Sequence, residues 1–82
     1  MSSNPAVSVI IPAYNVAPYI GETLDSLIAQ TRGDWEAVVV NDGSTDALGD
    51  VLARYVDPRI RVINQANAGV SSARNRGIAE AR

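Results

Sequence analysis

The sequence predicts an α/β fold in which parallel strands and helices alternate in the order βαβαβα. Three short apolar runs, rich in β-branched residues, recur at residues 7–11, 35–40 and 59–63. Each is followed by apolar residues at helical spacing, and Pro, Gly or polar clusters separate the segments. Right-handed helical crossovers between parallel strands give an open, three-layer, Rossmann-like sheet, with the order 3-2-1 if each connection packs beside the last.

The first strand and helix are predicted within residues 7–33. Residues 7–11 have the length of a buried strand, and we expect Pro12 to stop it. Pro18 suits the first turn of a helix, and Gly33 is expected to close that helix. Its apolar residues, at helical spacing, are Ile20, Leu24, Leu27 and Ile28.

The second and third strands differ in character. Residues 37–40 are apolar without alternation, as expected for a strand covered on both faces. A second helix is expected from Leu48 through Tyr55, before Asp57 and Pro58 end it. Residues 59–63 alternate and contain arginines, which indicates an edge strand. The last helix has five residues at helical spacing, and the small members of this set would let it approach the sheet closely: Val70, Ala73, Gly77, Ile78 and Ala81.

Length and composition exclude several classes of function. The 82 residues hold one domain at most, or part of one. Cys, His and Lys are all absent, which excludes disulfides, a Cys-zinc site, a thiol nucleophile and a lysine base. The net charge of −2 does not indicate the basic surface with which proteins bind nucleic acid. No apolar run could span a membrane and no signal peptide is visible, so we expect a cytoplasmic location.

Ligands of such sheets bind outside the carboxyl ends of the strands, where residues 12–17, 41–46 and 64–69 form three loops. Tyr14 offers a flat face for a base and a hydroxyl for a phosphate or sugar, or else it covers the top of the sheet. Asp42 can accept the imide N–H of uracil or thymine, or hydrogen bonds from a guanine edge.

The third loop leads into a helix whose N-terminus attracts anions. Arg74 could reach a diphosphate there, whereas Arg74 and Arg76 could equally be arginines on a solvated face. Neither the G-x-G-x-x-G pattern of dinucleotide-binding domains nor the lysine-containing P-loop pattern is present.

The acidic turn after the second strand resembles the start of a calcium loop. Asp42, Ser44 and Asp46 have the spacing of the first three ligands of an EF-hand. The sixth and twelfth positions, which require Gly and Glu, are Ala47 and Ala53, so we reject a calcium site.

Three ordered blocks resemble the family 2 glycosyltransferases, an inverting group with a GT-A fold. Residues 7–15 (VSVIIPAYN) resemble the opening strand of that family, and residues 38–46 (VVVNDGSTD) resemble its second strand and nucleotide-binding turn. Residues 67–77 (NAGVSSARNRG) resemble its third block. The resemblance extends from about residue 7 to residue 82, so the whole chain is expected to be the N-terminal, nucleotide-sugar-binding portion of a truncated GT-A domain.

The resemblance implies a donor site for a nucleoside-diphosphate sugar, with a UDP-sugar as the first expectation. The first loop would contact the nucleoside, with Tyr14 against the base. Asp42 would bind the base edge, and Arg74 would lie toward the base or the phosphates. The full set of expected binding residues is Pro12, Ala13, Tyr14, Asn15, Asp42, Gly43, Ser44 and Arg74.

The sequence departs from the family in its acidic motifs. Family members continue into an Asp-x-Asp motif that holds Mg²⁺ or Mn²⁺, and a later Asp or Glu serves as the base for the acceptor hydroxyl. In this chain only Asp34-Trp35-Glu36 has that spacing, and it precedes the second strand at the opposite end of the sheet. We therefore expect no metal ligands and no catalytic base here, and an isolated chain without transferase activity.

The alternative to a fragment of an enzyme is a non-catalytic nucleotide-binding or oligomerising module. The first strand would have a free edge, and residues 7–11 carry no charged side chain that would oppose pairing with another chain. We expect a homo-oligomer that covers this edge.

Overall fold

The computed structural model describes residues 7–30 and 33–81. The predicted order βαβαβα is confirmed. The elements are β1 (Val7–Ala13), α1 (Ala17–Ile28), β2 (Trp35–Asp42), α2 (Leu48–Leu52), β3 (Ile60–Gln65) and α3 (Val70–Glu80).

The three strands form one parallel sheet in the order β1-β2-β3, which is the predicted order 3-2-1. Ala13 of β1 pairs with Asn41 of β2, and Asn41 pairs with Asn64 of β3. The strands therefore end at the same level, and we call this end of the sheet the carboxyl rim.

The middle strand is buried on both faces, as its unbroken apolar run predicts. Val39 packs on one face with residues of α1 and α2, including Leu24 and Leu48. Val38 and Val40 pack on the other face against Ala73 of α3. The result is three layers, with α1 and α2 on one side of the sheet and α3 on the other.

The small residues of α3 bring that helix close to the sheet, as predicted. Gly77 is buried, and a Cβ atom at this position would collide with Cγ2 of Ile10 and lie 3.3 Å from Cγ2 of Val40. The close approach places the first turn of α3 beside the ends of β1 and β2. Within the described ranges, no helix is both long and apolar enough to cross a membrane.

Three element boundaries differ from the predictions. Pro12 does not stop β1, which continues to Ala13, because an edge strand tolerates a proline whose missing N–H is not needed for pairing. Helix α1 ends at Ile28, well before Gly33. Helix α2 ends at Leu52, and the hydroxyl of Tyr55 instead donates to the carboxylate of Asp25 in α1 at 2.8 Å.

Candidate functional site

A cavity of about 210 Å³ opens at the carboxyl rim, between the ends of β1 and β2 and the first turn of α3. It is lined by Pro12, Ala13, Tyr14, Asp42, Asn67, Gly69, Val70 and Ala73. The first four belong to the predicted binding set, and they come from two loops about 30 residues apart in the chain. The parallel register of β1 and β2 brings them together.

Asp42 is buried at the floor of this rim and is held by three N–H donors. Its Oδ1 accepts hydrogen bonds from Nε2 of Gln65 at 2.8 Å and from the backbone N–H of Ala68 at 2.9 Å. Its Oδ2 accepts one from the backbone N–H of Gly69 at 3.0 Å. The carboxylate thus ties the loop after β3 to the end of β2.

These hydrogen bonds also keep Asp42 ionised. The side chain of Gln65, followed by the backbone N–H of Ala68, lowers the pKa of the carboxyl below its ordinary value of 3.8. Burial acts in the opposite direction, and the N–H of Gly69 lowers the pKa further. At neutral pH the cavity therefore contains a carboxylate that accepts hydrogen bonds and cannot donate one.

Tyr14 contributes an aromatic ring to the same cavity and is 47% exposed. A ring that is half exposed at a cavity mouth can stack on a planar ligand without unfolding anything. The sequence left open whether Tyr14 faces a ligand or covers the top of the sheet. The structure favours an accessible ring, because the neighbouring Ala13 is the residue buried at the end of the sheet.

Asn15 and Ser44 do not line the cavity, although both were predicted to bind nucleotide. The side-chain oxygen of Asn15 accepts the backbone N–H groups of Thr45 at 2.8 Å and Asp46 at 3.3 Å. The N–H of Asn15 donates to Oγ of Ser44 at 3.0 Å. We call Asn15, Ser44, Thr45 and Asp46 the loop clasp, because their contacts join the loops after β1 and β2.

Asp46 completes the loop clasp by holding the start of two helices. Its carboxylate accepts the N–H of Ala17, the first residue of α1, at 3.1 Å and that of Leu48, the first residue of α2, at 3.0 Å. The positive φ of 53° at Asn15, a conformation that Asn tolerates better than most residues, orients its side chain toward this turn.

Gly43 separates the cavity from the loop clasp. Its φ of 69° favours glycine, and a Cβ atom there would lie only 2.6 Å from the backbone nitrogen of Asn67. Asn67 in turn donates its side-chain N–H to the carbonyl oxygen of Asp42 at 3.0 Å. The residue that approaches Gly43 closely is thus Asn67, in the loop after β3.

Arg74 lies on the exposed surface of α3 and does not line the cavity. Its side chain forms neither an ion pair nor a hydrogen bond with any residue that the structure describes. The neighbouring Arg76 is bound to Glu80 one turn further along the helix, at 3.4 Å. Arg74 therefore remains available to a ligand, and Arg76 belongs to a surface ion pair.

A divalent cation does not fit the carboxylates of these residues. Among residues 7–30 and 33–81, no group of three Asp, Glu, His or Cys side chains could hold a metal ion. Asp42 and Asp46 use their oxygens to accept N–H groups. Glu36, from the acidic pair noted in the sequence, is buried near the opposite end of β2, where it accepts the hydroxyl of Ser8 at 2.6 Å and faces Arg61 at 3.5 Å.

Four cavity residues were missed by the sequence-based prediction of the site. Val70 and Ala73 were predicted to lie on the side of α3 that faces the sheet. They also line the cavity, because α3 packs close to the ends of the strands. Asn67 and Gly69 were recognised as part of a loop, and their polar and glycine character was the available signal. Gln65 donates a hydrogen bond to Asp42. Apart from its position at the end of a strand, nothing in the sequence indicated this role.

Comparison with known proteins identifies relatives across nearly the whole chain. The family model described as glycosyl transferase family 2 matches residues 8–82. The chain is 55% identical over 80 residues to the uncharacterized glycosyltransferase EpsJ of Bacillus subtilis, covering 95% of this chain and 23% of EpsJ. It is 51% identical over 74 residues to glycosyltransferase GlyA of Streptococcus pneumoniae, covering 88% of this chain and 11% of GlyA.

Solved structures show the same arrangement of strands and helices. The mannosyltransferase PcManGT from Pyrobaculum calidifontis, in complex with GDP-Man and Mn²⁺, superposes with a TM-score of 0.85 at 31% identity, over 96% of this chain and 25% of that one. S. aureus TarS 1–349 in complex with UDP also gives a TM-score of 0.85, at 33% identity, over 93% of this chain and 24% of that one. The chain thus spans about a quarter or less of each of these proteins.

Proposed function

Because the chain belongs to glycosyl transferase family 2, we propose that residues 1–82 form the nucleotide-sugar-binding portion of a glycosyltransferase domain. The observation that carries this proposal is the shared cavity of Tyr14 and Asp42. An exposed aromatic ring and an ionised carboxylate are the two groups that a flat base with N–H donors on its edge requires.

The size of the cavity supports a binding site for part of the donor. Pockets for small molecules typically enclose roughly 300–1,000 Å³, whereas this one encloses about 210 Å³. Its walls are mostly apolar, with Pro12, Ala13, Val70 and Ala73 around the carboxylate of Asp42. We infer that it takes the nucleoside and that the sugar lies outside it.

The remaining residues of the predicted set serve the site in two ways. Asn15, Gly43 and Ser44 hold the loops that carry Tyr14 and Asp42. Arg74, exposed on α3 and unpaired within the described part of the chain, would meet the negative charge of the diphosphate as it leaves the cavity. The structures of PcManGT with GDP-Man and of TarS with UDP support a nucleoside diphosphate as the ligand.

We further propose that the complete enzyme transfers the sugar to an acceptor hydroxyl with inversion, and that residues 1–82 alone are inactive. Such a transfer needs a carboxylate base for the hydroxyl. The rim carboxylates Asp42 and Asp46 accept backbone N–H groups that hold the loops, and we assign the catalytic base to neither of them. Mg²⁺ or Mn²⁺, expected in the full-length enzyme, would need ligands other than these. The cytoplasmic location stays a prediction.

Calorimetric titration of the chain with UDP tests the nucleoside site. Replacing Tyr14 by Ala should weaken binding by about 1–3 kcal/mol, the usual contribution of one stacked base. The matched control is Tyr19→Ala, because Tyr19 is 70% exposed on α1 and does not line the cavity. Equal affinities of the Tyr14→Ala and Tyr19→Ala variants would contradict the proposal.

A second variant tests the carboxylate. Asp42→Ala should weaken UDP binding at least about tenfold, because it removes a charged hydrogen-bond acceptor from the cavity. Far-UV circular dichroism must show that this variant is folded, since Asp42 also holds the loop after β3. A folded Asp42→Ala chain that binds UDP as well as the unchanged chain would remove Asp42 from the site.

A second candidate function is an oligomerising module, and the free edge of β1 favours it. In the described residues β1 pairs with β2 alone, and Val7 at its start is 40% exposed. We propose that a second copy of the chain pairs along this edge. Light scattering should then give a mass of at least twice 8.7 kDa, and a monomer at high concentration would count against this candidate.

A further inference from the structure

We propose that Gln65 is a positioning residue: from the end of β3, outside the cavity, its side-chain amide fixes the orientation in which Asp42 presents its carboxylate to a ligand. The inference rests on the nucleoside-binding function proposed above, and it adds to that function a residue that does not itself line the cavity. It follows from the face of the sheet that Gln65 shares with Asp42 and from the kind of group that donates each hydrogen bond to the carboxylate.

The register of the sheet places Gln65 beside Asp42. The two residues are paired across β2 and β3, so their side chains lie on the same face of the sheet. This is the face on which Val38 and Val40 pack against Ala73 of α3. Gln65 therefore reaches the carboxylate from the neighbouring strand and leaves the cavity side of Asp42 uncovered.

The three donors to Asp42 differ in the part of the chain that carries them. Two are backbone N–H groups of the loop after β3, from Ala68 at 2.9 Å and from Gly69 at 3.0 Å. The third is Nε2 of Gln65 at 2.8 Å, and Gln65 is the last residue of a strand. The carboxylate is thus held on one side by a loop and on the other by an amide that the sheet keeps in place.

No cation shares this task in the described part of the chain, where Asp42 forms no ion pair. From the surrounding elements, Tyr14 lines the same cavity, Asp46 bonds to the starts of α1 and α2, and Arg74 lies on the exposed surface of α3. None of these three donates to Asp42. The hydrogen bond from Gln65 is also the largest cause of the lowered pKa of Asp42, so removing it should raise that pKa.

Calorimetric titration with UDP at several pH values tests the role through Gln65→Glu. A protonated Glu has the shape of Gln and donates to a carboxylate, whereas an ionised Glu repels it. Two carboxyl groups in contact share one proton, which raises the pH at which the second proton is lost. Relative to the unchanged chain, the UDP affinity of Gln65→Glu should therefore rise about tenfold from about pH 8 to about pH 4.5.

Asn64→Asp is the matched control. Asn64 precedes Gln65 in β3, and its side-chain oxygen accepts an N–H of Asn41 at 3.1 Å on the opposite face of the sheet. This variant adds the same charge one residue away, and its UDP affinity should follow pH as that of the unchanged chain does. A Gln65→Glu chain that binds equally weakly at every pH, or that follows pH as Asn64→Asp does, would overturn the positioning role.

Gln65→Leu removes the donor at nearly constant size and separates this inference from the proposed function. In a variant that circular dichroism shows to be folded, UDP should bind about tenfold more weakly, and NMR should show the Asp42 carboxyl titrating at a higher pH. An unchanged affinity, or an unchanged titration of Asp42, would overturn the role of Gln65 and leave the nucleoside site in place. If the unchanged chain does not bind UDP, the proposed function fails, and the inference fails with it.

Discussion

The two sides of the carboxyl rim use their polar residues differently, although both are built from the same short segment, residues 41–46. On the side of α3, Asp42 lines a cavity while its carboxylate accepts three N–H groups from the end of β3 and the loop that follows it. On the side of α1 and α2, Asn15, Ser44 and Asp46 bond to one another's loops and to the first residues of two helices. A polar segment at a strand end therefore contains both a residue that lines the cavity and residues that hold the loop.

The largest effect should come from Gly43, which lies between the two sides. Gly43→Ala places a side chain at a φ of 69° and drives its Cβ to 2.6 Å from the backbone nitrogen of Asn67. The backbone conformation alone costs about 1–3 kcal/mol, and the backbone contact adds to it. We expect a loss of about 3 kcal/mol or more in the free energy of unfolding, measured by urea denaturation.

Gly49→Ala is the control for that experiment. Gly49 lies in α2 with nothing within 4 Å of the position of an added Cβ. Alanine is the better helix former, by about 1 kcal/mol. We therefore expect a small gain in stability, and similar losses from both substitutions would show that the contact with Asn67 is unimportant.

A smaller effect is expected from breaking the loop clasp. Asp46→Ala removes the acceptor for the N–H groups of Ala17 and Leu48 at the starts of α1 and α2. By analogy with the loss of a side-chain N-cap, loss of this acceptor should cost about 0.5–2 kcal/mol. Thermal denaturation should show this loss, while UDP affinity at a temperature where the variant is folded should stay close to that of the unchanged chain.

Tyr14→Ala should have the opposite effects to Asp46→Ala, so the two variants together test the difference between the two sides of the rim. Tyr14 is half exposed, so its removal should weaken nucleotide binding with little change in stability. If Asp46→Ala abolished UDP binding in a folded chain, or if Tyr14→Ala unfolded the chain, the separation between the two sides of the rim would be wrong.

A distinct effect, which appears as the pH falls into the acid range, concerns the titration of Asp42. Its pKa is held below 3.8 in the folded chain, chiefly by Gln65 and the N–H of Ala68. The unfolded chain binds this proton more readily, so the stabilisation is complete above the ordinary pKa and is lost as the pH falls through the folded value. Asp42→Asn should flatten the fall in unfolding free energy below about pH 3.8.

A comparison with Asp57 isolates this contribution. The side chain of Arg59 lowers the pKa of Asp57 as well. Both carboxyls therefore contribute, in the same direction, to the fall in unfolding free energy at acid pH, which we call the acid limb. Asp57→Asn should remove its own share and leave that of Asp42. An acid limb that Asp42→Asn leaves unchanged would show that the hydrogen bonds of Asp42 do not contribute to stability.

Local patterns predicted most of the fold. The unbroken apolar run of β2 predicted a strand covered on both faces, and residues 35–40 are all buried. The small residues of α3 predicted close packing, which Gly77 shows. The boundary errors at Pro12 and Tyr55 share one cause. The local rule was overridden by a partner from another element, a neighbouring strand for Pro12 and Asp25 of α1 for Tyr55.

Within the candidate site, the sequence identified the rim and its residue types but not the direction of each side chain. Pro12, Ala13, Tyr14 and Asp42 meet in one cavity. Asn15 and Ser44 have the same polar character and the same rim position, yet they bond to the neighbouring loop. Their partners lie 29 to 31 residues away in the chain, beyond the reach of any local pattern.

The sequence by itself determined the order of strands and helices, the parallel sheet and the edge at which its polar loops meet, because hydrophobic periodicity and turn residues act over short distances. Only the tertiary structure decided which N–H groups the carboxylate of Asp42 accepts, how deeply α3 approaches the strand ends, and which rim residues join the loops. Those outcomes depend on hydrogen bonds and close contacts between segments that become neighbours only when the sheet has formed.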